Sequence, residues 1–221
     1  MKSAILGLLV FFVAQSSFAA GNEFPIQLRL FGGAVNTTLT DLNTELRSQG
    51  LAEFGTTPKI GLEATYKVAK FFDFGINYSK RAHFKEEATP DPATEYAAYL
   101  DQDVILVVGR VPFIKTDLLT ADIFAGVGGS NTSLKLKSAS QDGELSKKEG
   151  GDWVASLATA AGLSIGVGYK WIYLFAEGGY ESNKVDGFKR TGNISPNITS
   201  LDFTGPYVAI GLIIDGIPAH K

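Results

Sequence analysis

The sequence predicts an all-β protein, an eight-stranded antiparallel up-and-down barrel with a short helix in its first long loop. Eight segments alternate apolar residues with polar or small ones, which is the period of a two-faced strand. The connections alternate long and short, so antiparallel neighbours place every long loop at one end and every short turn at the other. Aromatic residues gather near the segment ends. These observations favour closure into a barrel, which leaves no strand edge unpaired.

Residues 153–169 (WVASLATAAGLSIGVGY) show the alternation most clearly. One face carries Leu163 and Ile165 between aromatic residues, and the other consists of small residues such as Gly162 and Ser164. A surface in water would carry lysine and glutamate on that second face. Small side chains instead suit the interior of an eight-stranded barrel, which is just wide enough for side chains to fill.

The other segments repeat this pattern with variations. The predicted strands are residues 24–35, 58–68, 72–81, 96–111, 119–127, 153–169, 172–180 and 201–215. The register of the fourth is ambiguous because residues 104–108 (VILVV) are apolar on both faces, which indicates either a bulge or inward-facing apolar residues. The last strand is predicted to be irregular at Gly205 and Pro206. The predicted long loops are residues 36–57, 82–95, 130–151 and 182–198.

A helix is predicted inside the first long loop, over residues 41–49. Thr40 or Asp41 can cap its start, Leu42 and Leu46 share one face, and a glycine follows its end. The narrow apolar stripe favours a helix that caps the barrel mouth or lies on the outer leaflet. A surface for a ligand or a partner is the alternative.

Two units are predicted along the chain, a signal peptide at residues 1–19 and a barrel domain at residues 20–221. A lysine precedes an uninterrupted apolar run at residues 4–14, and small residues precede cleavage after Ala19, with cleavage after Ala20 as the alternative. The apolar run is too short to cross a bilayer as a helix, which takes about 20 residues. Export from the cytoplasm is therefore expected.

Composition excludes several classes of function. The 221 residues include no cysteine, which excludes disulfides, thiolate metal sites and a cysteine nucleophile. Absence of cysteine behind an export signal favours a bacterial envelope protein. The formal net charge of −3 gives no reason to expect nucleic acid binding. No cofactor is expected.

The outward faces of the strands indicate contact with lipid. In hydrocarbon each unpaired backbone group costs several kcal/mol, so strands cross a membrane only as a closed barrel. The predicted lipid-facing residues are Leu28, Leu62, Phe74, Ile76, Ile123, Leu163, Ile165 and Leu174. Aromatic girdles are predicted at both interfaces, with Phe203 as a further candidate. Their members are Tyr66, Phe72, Tyr169 and Trp171 near the turns, and Tyr78, Trp153 and Tyr180 near the loops.

The inward faces carry charges of both signs. The predicted lumen network consists of Gln27, Arg29, Lys59, Glu63, Lys67, Asp73, Asn77, Arg81, Asp122 and Glu177. Buried charges need partners, so we expect a salt-bridged plug. A narrow ion path is the alternative, and eight strands favour the plug because a barrel of this size holds no continuous aqueous lumen.

Several segments together resemble a known class, the small eight-stranded outer-membrane β-barrels of Gram-negative bacteria (OmpA/OmpX/OmpW-like, outer membrane protein β-barrel domain). The segments are the signal at residues 1–19, FGG at 31–33, GLEATY at 61–66, DFGINY at 73–78 and DFTGPYVAIGLIID at 202–215. The resemblance implies an outer-membrane location. It also implies membrane lipid, the barrel-assembly machinery and periplasmic chaperones as partners.

A structural or surface-presenting role, in adhesion or envelope integrity, is the function we expect. A narrow pore or transporter for small or apolar solutes is the alternative, and a soluble lipocalin-like barrel, apolar inside and charged outside, is the third. No enzymatic activity is expected, because His220 lies in the terminal tail and His83 cannot form a triad with Ser79 and Asp73 along one strand. Two distant histidines do not favour a metal site.

Overall fold

The computed structural model describes residues 25–48, 53–87, 96–137, 142–146, 148–149, 152–153 and 156–216. The predicted signal peptide lies outside these residues. One helix, α1, spans Thr40–Ser48. The strands are β1 (Ile26–Asn36), β2 (Thr56–Ala69), β3 (Phe72–Glu87), β4 (Tyr96–Lys115), β5 (Leu119–Lys137), β6 (Asp142–Ser146), β7 (Lys148–Glu149), β8 (Asp152–Trp153), β9 (Ser156–Tyr169), β10 (Ile172–Asp186), β11 (Lys189–Asn193), β12 (Ser200–Asp202) and β13 (Gly205–Asp215).

Eight of these strands close into an antiparallel barrel. They are β1, β2, β3, β4, β5, β9, β10 and β13; each pairs with the next, and β13 pairs with β1. The predicted barrel, with one helix between its first two strands, is therefore confirmed. We call the end with the long connections the loop end and the end with the short turns the turn end. Among the described residues, no helix is long and apolar enough to cross a membrane.

The fourth barrel strand, β4, resolves the ambiguity in its sequence. Val104, Leu106 and Val108 all point inward and are buried. The register shift of this strand lies between Pro112 and Ile114, beyond the apolar run. Inward-facing apolar residues, and not a bulge, therefore explain the apolar stretch.

Three barrel strands continue beyond the rim at which the sequence predicted loops. β3 reaches Glu87, β5 reaches Lys137 and β10 reaches Asp186, and β6 pairs with both the β5 extension and β11. The prediction that residues 130–151 form a loop throughout was wrong, and so was the prediction that loops begin at residues 82 and 182, because β5, β3 and β10 continue past these points. The physical reason is that alternation persists past the rim, with Leu134 buried inside.

Two predicted strand boundaries were also wrong. The sixth barrel strand, β9, begins at Ser156, and Trp153 pairs instead with Lys148 in a separate two-stranded sheet. The last predicted strand is divided between β12 and β13 at residues 203–204, not at Gly205 and Pro206. There the side chain of Asp202 accepts a hydrogen bond from the backbone N–H of Thr204 at 2.9 Å, which turns the chain.

Candidate functional site

Each of the eight barrel strands contributes one polar side chain to a network inside the lumen, which we call the central cluster. All its members are 7% exposed or less. In strand order they are Arg29, Glu63, Asn77, Arg110, Asp122, Ser164, Glu177 and Tyr207. Because alternation turns every second side chain inward, the eight strands can each place a residue in one network.

Arg110 contacts all three carboxylates of the central cluster. Its guanidinium nitrogens lie 3.0 Å from Glu63 Oε2, 2.6 Å from Asp122 Oδ1 and 2.9 Å from Glu177 Oε2. The guanidinium carbon also lies 4.5 Å from the ring centroid of Phe124. The planar fork of five donors suits such shared contacts better than the single ammonium of a lysine.

Arg29 is the second cation of the central cluster. Its Nη2 donates to Asp122 Oδ2 at 2.6 Å, and its Nη1 donates to Ser164 Oγ at 3.0 Å. Its Nε donates to Gln27 Oε1 at 2.8 Å and lies 3.8 Å from Glu63 Oε1. Asp122 is thus bound by both arginines, one on each oxygen.

Neutral donors complete the coordination of the acids. Asn77 Nδ2 donates to Glu63 Oε2 at 2.8 Å, and the Tyr207 hydroxyl donates to Glu177 Oε1 at 2.8 Å. The central cluster holds three carboxylates against two guanidiniums, so it carries one negative charge in excess. Donors from neutral side chains stabilise that excess without adding charge.

A second set of charges lies nearer the loop end, and we call it the loop-end ion group: Lys59, Arg81 and Glu181. Lys59 and Arg81 each donate to the carboxylate of Glu181, and Arg81 Nη1 donates to Gln102 Oε1 at 2.9 Å. This group carries one positive charge in excess, which complements the central cluster. The ring of Tyr207 lies 4.3 Å from Lys59 Nζ and so joins the two sets.

A third set of charges lies at the turn end. Asp215 forms salt bridges with Lys67 Nζ at 2.7 Å and with Lys115 Nζ at 2.8 Å. Asp73, opposite Lys67 on the neighbouring strand, is buried at the same end. The lumen is therefore crossed by paired charges at three levels, an arrangement that fills it with side chains.

Above the lumen, the loop end is closed by an apolar cluster that we call the cap core. Its members are 7% exposed or less and come from α1 and its flanking residues, from the loop-end parts of β4, β5 and β10, from β6, and from the segment around β12. They are Leu39, Leu42, Leu46, Phe54, Ala98, Leu100, Leu134, Leu136, Leu145, Val185, Ile194, Ile198, Leu201 and Phe203. The apolar face predicted on the helix, which carries Leu42 and Leu46, thus packs into the cap core above the barrel mouth. This is the capping arrangement that the sequence favoured.

Hydrogen bonds hold α1 on the cap core. Asn43, itself buried, donates to the carbonyls of Thr38 and Phe54 at 2.8 Å and 2.7 Å and accepts from the Phe54 N–H at 2.8 Å. Asp41 Oδ2 accepts from the Thr199 hydroxyl at 2.7 Å and from the N–H and hydroxyl of Ser200 at 3.0 Å. The hydrogen bond from Thr199 is the main cause that lowers the pKa of Asp41 below its ordinary value of 3.8.

The outer wall carries the apolar residues. All eight predicted lipid-facing side chains point outward, with exposures between 38% and 68%. Tyr66, Tyr169, Trp171 and Tyr180 are exposed, and Phe72 and Tyr78 are half-buried on the same outer face. The side chain of Trp153 lies outside the described residues. Phe203 was wrong as a girdle candidate, because it is fully buried in the cap core. Contact of this wall with lipid remains a prediction.

The structure brings together the lumen residues that the sequence singled out. Nine of the ten are buried inside the barrel, and Lys67 is partly exposed at its turn end. Sequence reasoning missed Arg110, Glu181, Tyr207 and Asp215. Glu181 has the parity of Glu177, so the alternation could have identified it, whereas the apolar run at residues 104–108 conceals the parity of Arg110. Within the described part of the chain, no three His, Asp or Glu side chains are placed to hold a metal ion.

A closed eight-stranded barrel that is polar inside and apolar outside is the architecture of the small outer-membrane β-barrels. The chain matches no protein-family model and no curated protein. Solved structures do match. Neisserial surface protein A (NspA) is 11% identical with a TM-score of 0.50, and the match covers 87% of this chain and 98% of NspA.

Two further structures extend the comparison. Ail, the attachment invasion locus protein of Yersinia pestis, is 13% identical with a TM-score of 0.50, over 90% of this chain and 100% of Ail. A major outer membrane protein from Thermus thermophilus is 10% identical with a TM-score of 0.48, over 86% and 98% of the two chains. At these identities NspA and Ail establish the fold alone. The chain has the fold of the eight-stranded outer-membrane β-barrels.

Proposed function

We propose that this chain is an outer-membrane protein whose plugged barrel anchors a folded cap at the cell surface. Its role is structural or adhesive, and the barrel is not a conduit. The cap core is the observation that carries this proposal. Fourteen buried apolar residues, assembled from several connections, build a small folded unit above the barrel. A barrel that served only to span the membrane would not need such a unit.

The lumen supports an anchoring role. The charged side chains of the central cluster and the loop-end ion group pair across the barrel, and each of them is 7% exposed or less. Moving an ion past them would require breaking contacts between desolvated charges, which costs several kcal/mol. The narrow pore, our alternative, therefore needs a rearrangement of these pairs.

The outer wall argues against the soluble ligand-binding barrel. A lipocalin-like barrel would be apolar inside and charged outside. Here Arg29 and Glu63 lie inside, whereas Leu163 and Leu174 lie on the outer wall. We therefore propose membrane lipid as the partner of that wall.

A location in the outer membrane of a Gram-negative bacterium is part of the proposal. It rests on the predicted signal peptide at residues 1–19 and on the fold shared with NspA and Ail, whose names describe a surface protein and an attachment invasion protein. Delivery by periplasmic chaperones and insertion by the barrel-assembly machinery follow from this location. The cap is then the part of the chain that an extracellular partner would meet.

Three measurements test the proposal. The first is gel mobility before and after boiling, together with cell fractionation, and a mature protein that stays in solution without detergent would overturn the membrane assignment. The second is planar-bilayer conductance of the refolded protein. We expect a baseline without discrete open levels, and a steady, reproducible open level would favour the pore. Protease treatment of intact cells should cleave the cap and spare the barrel.

A further inference from the structure

Three buried polar atoms at the loop end of the lumen have no hydrogen-bond partner among the residues that the structure describes. They are Arg81 Nε, Asn183 Nδ2 and Ser156 Oγ. Arg81 and Asn183 are 1% exposed, and Ser156 is 7% exposed. Buried polar groups in folded proteins nearly always have a partner, so three such atoms at one end of the barrel point to a bound species.

Two of these atoms belong to a ring of inward-facing side chains, each 3% exposed or less, which we call the polar ring. Its members are Arg81, Gln102, Thr132, Ser130, Asn183 and Glu181. Arg81 Nη1 donates to Gln102 Oε1 at 2.9 Å, and Gln102 Nε2 donates to Thr132 Oγ1 at 2.8 Å. Ser130, the neighbouring inward residue on β5, donates to Asn183 Oδ1 at 3.2 Å. The ring closes through β10, where the inward residue before Asn183 accepts a hydrogen bond from Arg81.

The polar ring has donors and positive charge in excess. Lys59 and Arg81 donate to different oxygens of Glu181, so this carboxylate is already bound by two cations. Arg81 Nε is left over from that pairing, and the other unpartnered atom of the ring, Asn183 Nδ2, is also a donor. Two free donors beside an excess positive charge are the chemistry that binds an anion.

We propose that the polar ring binds one small monovalent anion, such as chloride, through Arg81 Nε and Asn183 Nδ2. A single negative charge matches the excess of the loop-end ion group. The hydroxyl of Ser156, the register partner of Ser130 in the ring, can donate to the same anion. The negative excess of the central cluster lies further down the barrel, because Asn183 is six residues, or about 20 Å, beyond Glu177 on β10.

The cap core covers this site on the side of the solvent. The ring of Phe203, which is 0% exposed, lies 5.9 Å from Arg81 Cζ. The backbone N–H of Phe203 donates to the carbonyl of Asn183 at 2.9 Å. An anion bound beneath the cap can exchange with the solvent only when the cap opens. Since a species that binds only the closed form stabilises that form, the bound anion is expected to hold the cap shut.

The direct test is diffraction from crystals of the full-length mature protein grown in sodium bromide, with data collected at the bromine absorption edge. We expect an anomalous peak within hydrogen-bond distance of Arg81 Nε and Asn183 Nδ2. A water molecule at that position without anomalous signal would overturn the proposal. Bromide found only beside exposed lysines, as an adventitious ion, would overturn it as well. This measurement needs no variant, so it does not depend on whether a substituted protein folds.

The second test compares hydrogen exchange of the refolded protein in bromide and in gluconate, a much larger anion, at equal ionic strength. The amides of α1 and β12 should exchange about tenfold more slowly when bromide is present at about ten times its dissociation constant. Asn183→Leu should abolish this bromide dependence. Asn77→Leu, which removes a buried amide that donates to Glu63 in the central cluster, is the matched control and should retain it. A wild type insensitive to bromide, or an Asn183→Leu variant as sensitive as the wild type, would overturn the anion site and leave the proposed membrane location untouched.

Discussion

Arg110 and Glu63 face each other across the lumen from strands that are not neighbours, with Arg110 Nη2 3.0 Å from Glu63 Oε2. They are 47 residues apart in sequence, and β3 lies between their strands. Both are almost completely buried. The pair therefore fixes β2 relative to β4 through the interior, in addition to the ladder of backbone hydrogen bonds around the wall.

Removal of Arg110 is predicted to destabilise the barrel strongly. Arg110→Met leaves Glu63, Asp122 and Glu177 with one guanidinium among them, and breaking a buried pair by removing one partner costs about 3–5 kcal/mol. The free energy of unfolding can be measured by urea titration of the protein refolded in vesicles, followed by tryptophan fluorescence.

The matched control for this change is Arg47→Met in α1. Arg47 pairs with Glu53 at 2.7 Å, but their side chains are 67% and 43% exposed. Exposed pairs contribute about 0–1 kcal/mol, so this variant should unfold nearly as the wild type does. If Arg110→Met and Arg47→Met lowered the free energy of unfolding by similar amounts, the contacts of Arg110 in the central cluster would contribute no more stability than an exposed ion pair.

Arginine on the outer wall is predicted to block insertion in a manner that depends on depth. Leu163 lies in the middle of β9, and Arg at the midplane of a barrel's lipid face costs about 2–4 kcal/mol, against about 0–1 kcal/mol near the interfaces. Leu163→Arg should therefore refold poorly into vesicles. Leu157→Arg, near the loop end of the same outward face, should refold well.

Heat-modified gel mobility measures the refolded fraction of both variants. Equal yields for Leu163→Arg and the wild type would contradict the assignment of this wall to lipid. If Leu163→Arg and Leu157→Arg both failed to refold, the predicted difference in depth between the two positions would be contradicted. The result would then show only that β9 does not tolerate a charge on its outward face.

The barrel could be predicted from sequence because each wall strand carries its own signal. Alternation over about ten residues suffices to assign two faces, and no knowledge of other strands is needed. Leu163 and Ser164 show this, since their opposite exposures follow directly from their parity. The central cluster was partly predictable for the same reason.

Most of the cap could not be predicted in the same way. The apolar face of α1, which carries Leu42, is visible in the sequence, but Phe54 and Ile198 come from separate connections that are too short to show a period identifying a buried face. Their burial depends on contacts between distant parts of the chain. Arg110 was missed for a different reason, since the apolar run before it, VILVV, concealed the parity of its strand.

Truncation of Leu42 is predicted to loosen the cap without affecting the barrel. Leu42 is 0% exposed in the cap core, and Leu→Ala at such a site costs about 2–5 kcal/mol. Hydrogen exchange should accelerate for the amides of α1 and β12 and stay unchanged for those of β9. Thr44→Ala, on the exposed side of the same helix, is the control and should leave the exchange rates of the amides in α1, β12 and β9 unchanged.

Conductance of the Leu42→Ala variant tests whether the cap or the paired side chains inside the lumen close the barrel. Because Arg29 and Arg110 still bind the carboxylates of the lumen in this variant, we expect no open levels in a planar bilayer. Open levels that appear only when the cap is loosened would show that the cap, and not the central cluster, closes the barrel.

Acidification is predicted to loosen the attachment of α1 through Asp41. The folded protein lowers the pKa of this carboxyl below 3.8, chiefly through the hydrogen bond from Thr199. A group with a lowered folded pKa contributes stability that is complete above its unfolded pKa and is lost as the pH falls through the folded value. Protection of the Ser200 amide, which donates to Asp41, should therefore be constant near neutrality and decrease below about pH 4.

Asp41→Asn is the matched control for this pH dependence, since its amide oxygen accepts hydrogen bonds but does not titrate in this range. Its protection at Ser200 should be somewhat lower than that of the wild type at neutral pH and should not change through the acidic range. The measurement is the exchange rate of the Ser200 amide divided by its intrinsic rate at each pH. A decrease of equal size in both proteins would place the titrating group elsewhere in the cap, because the only difference between them is the carboxyl of Asp41.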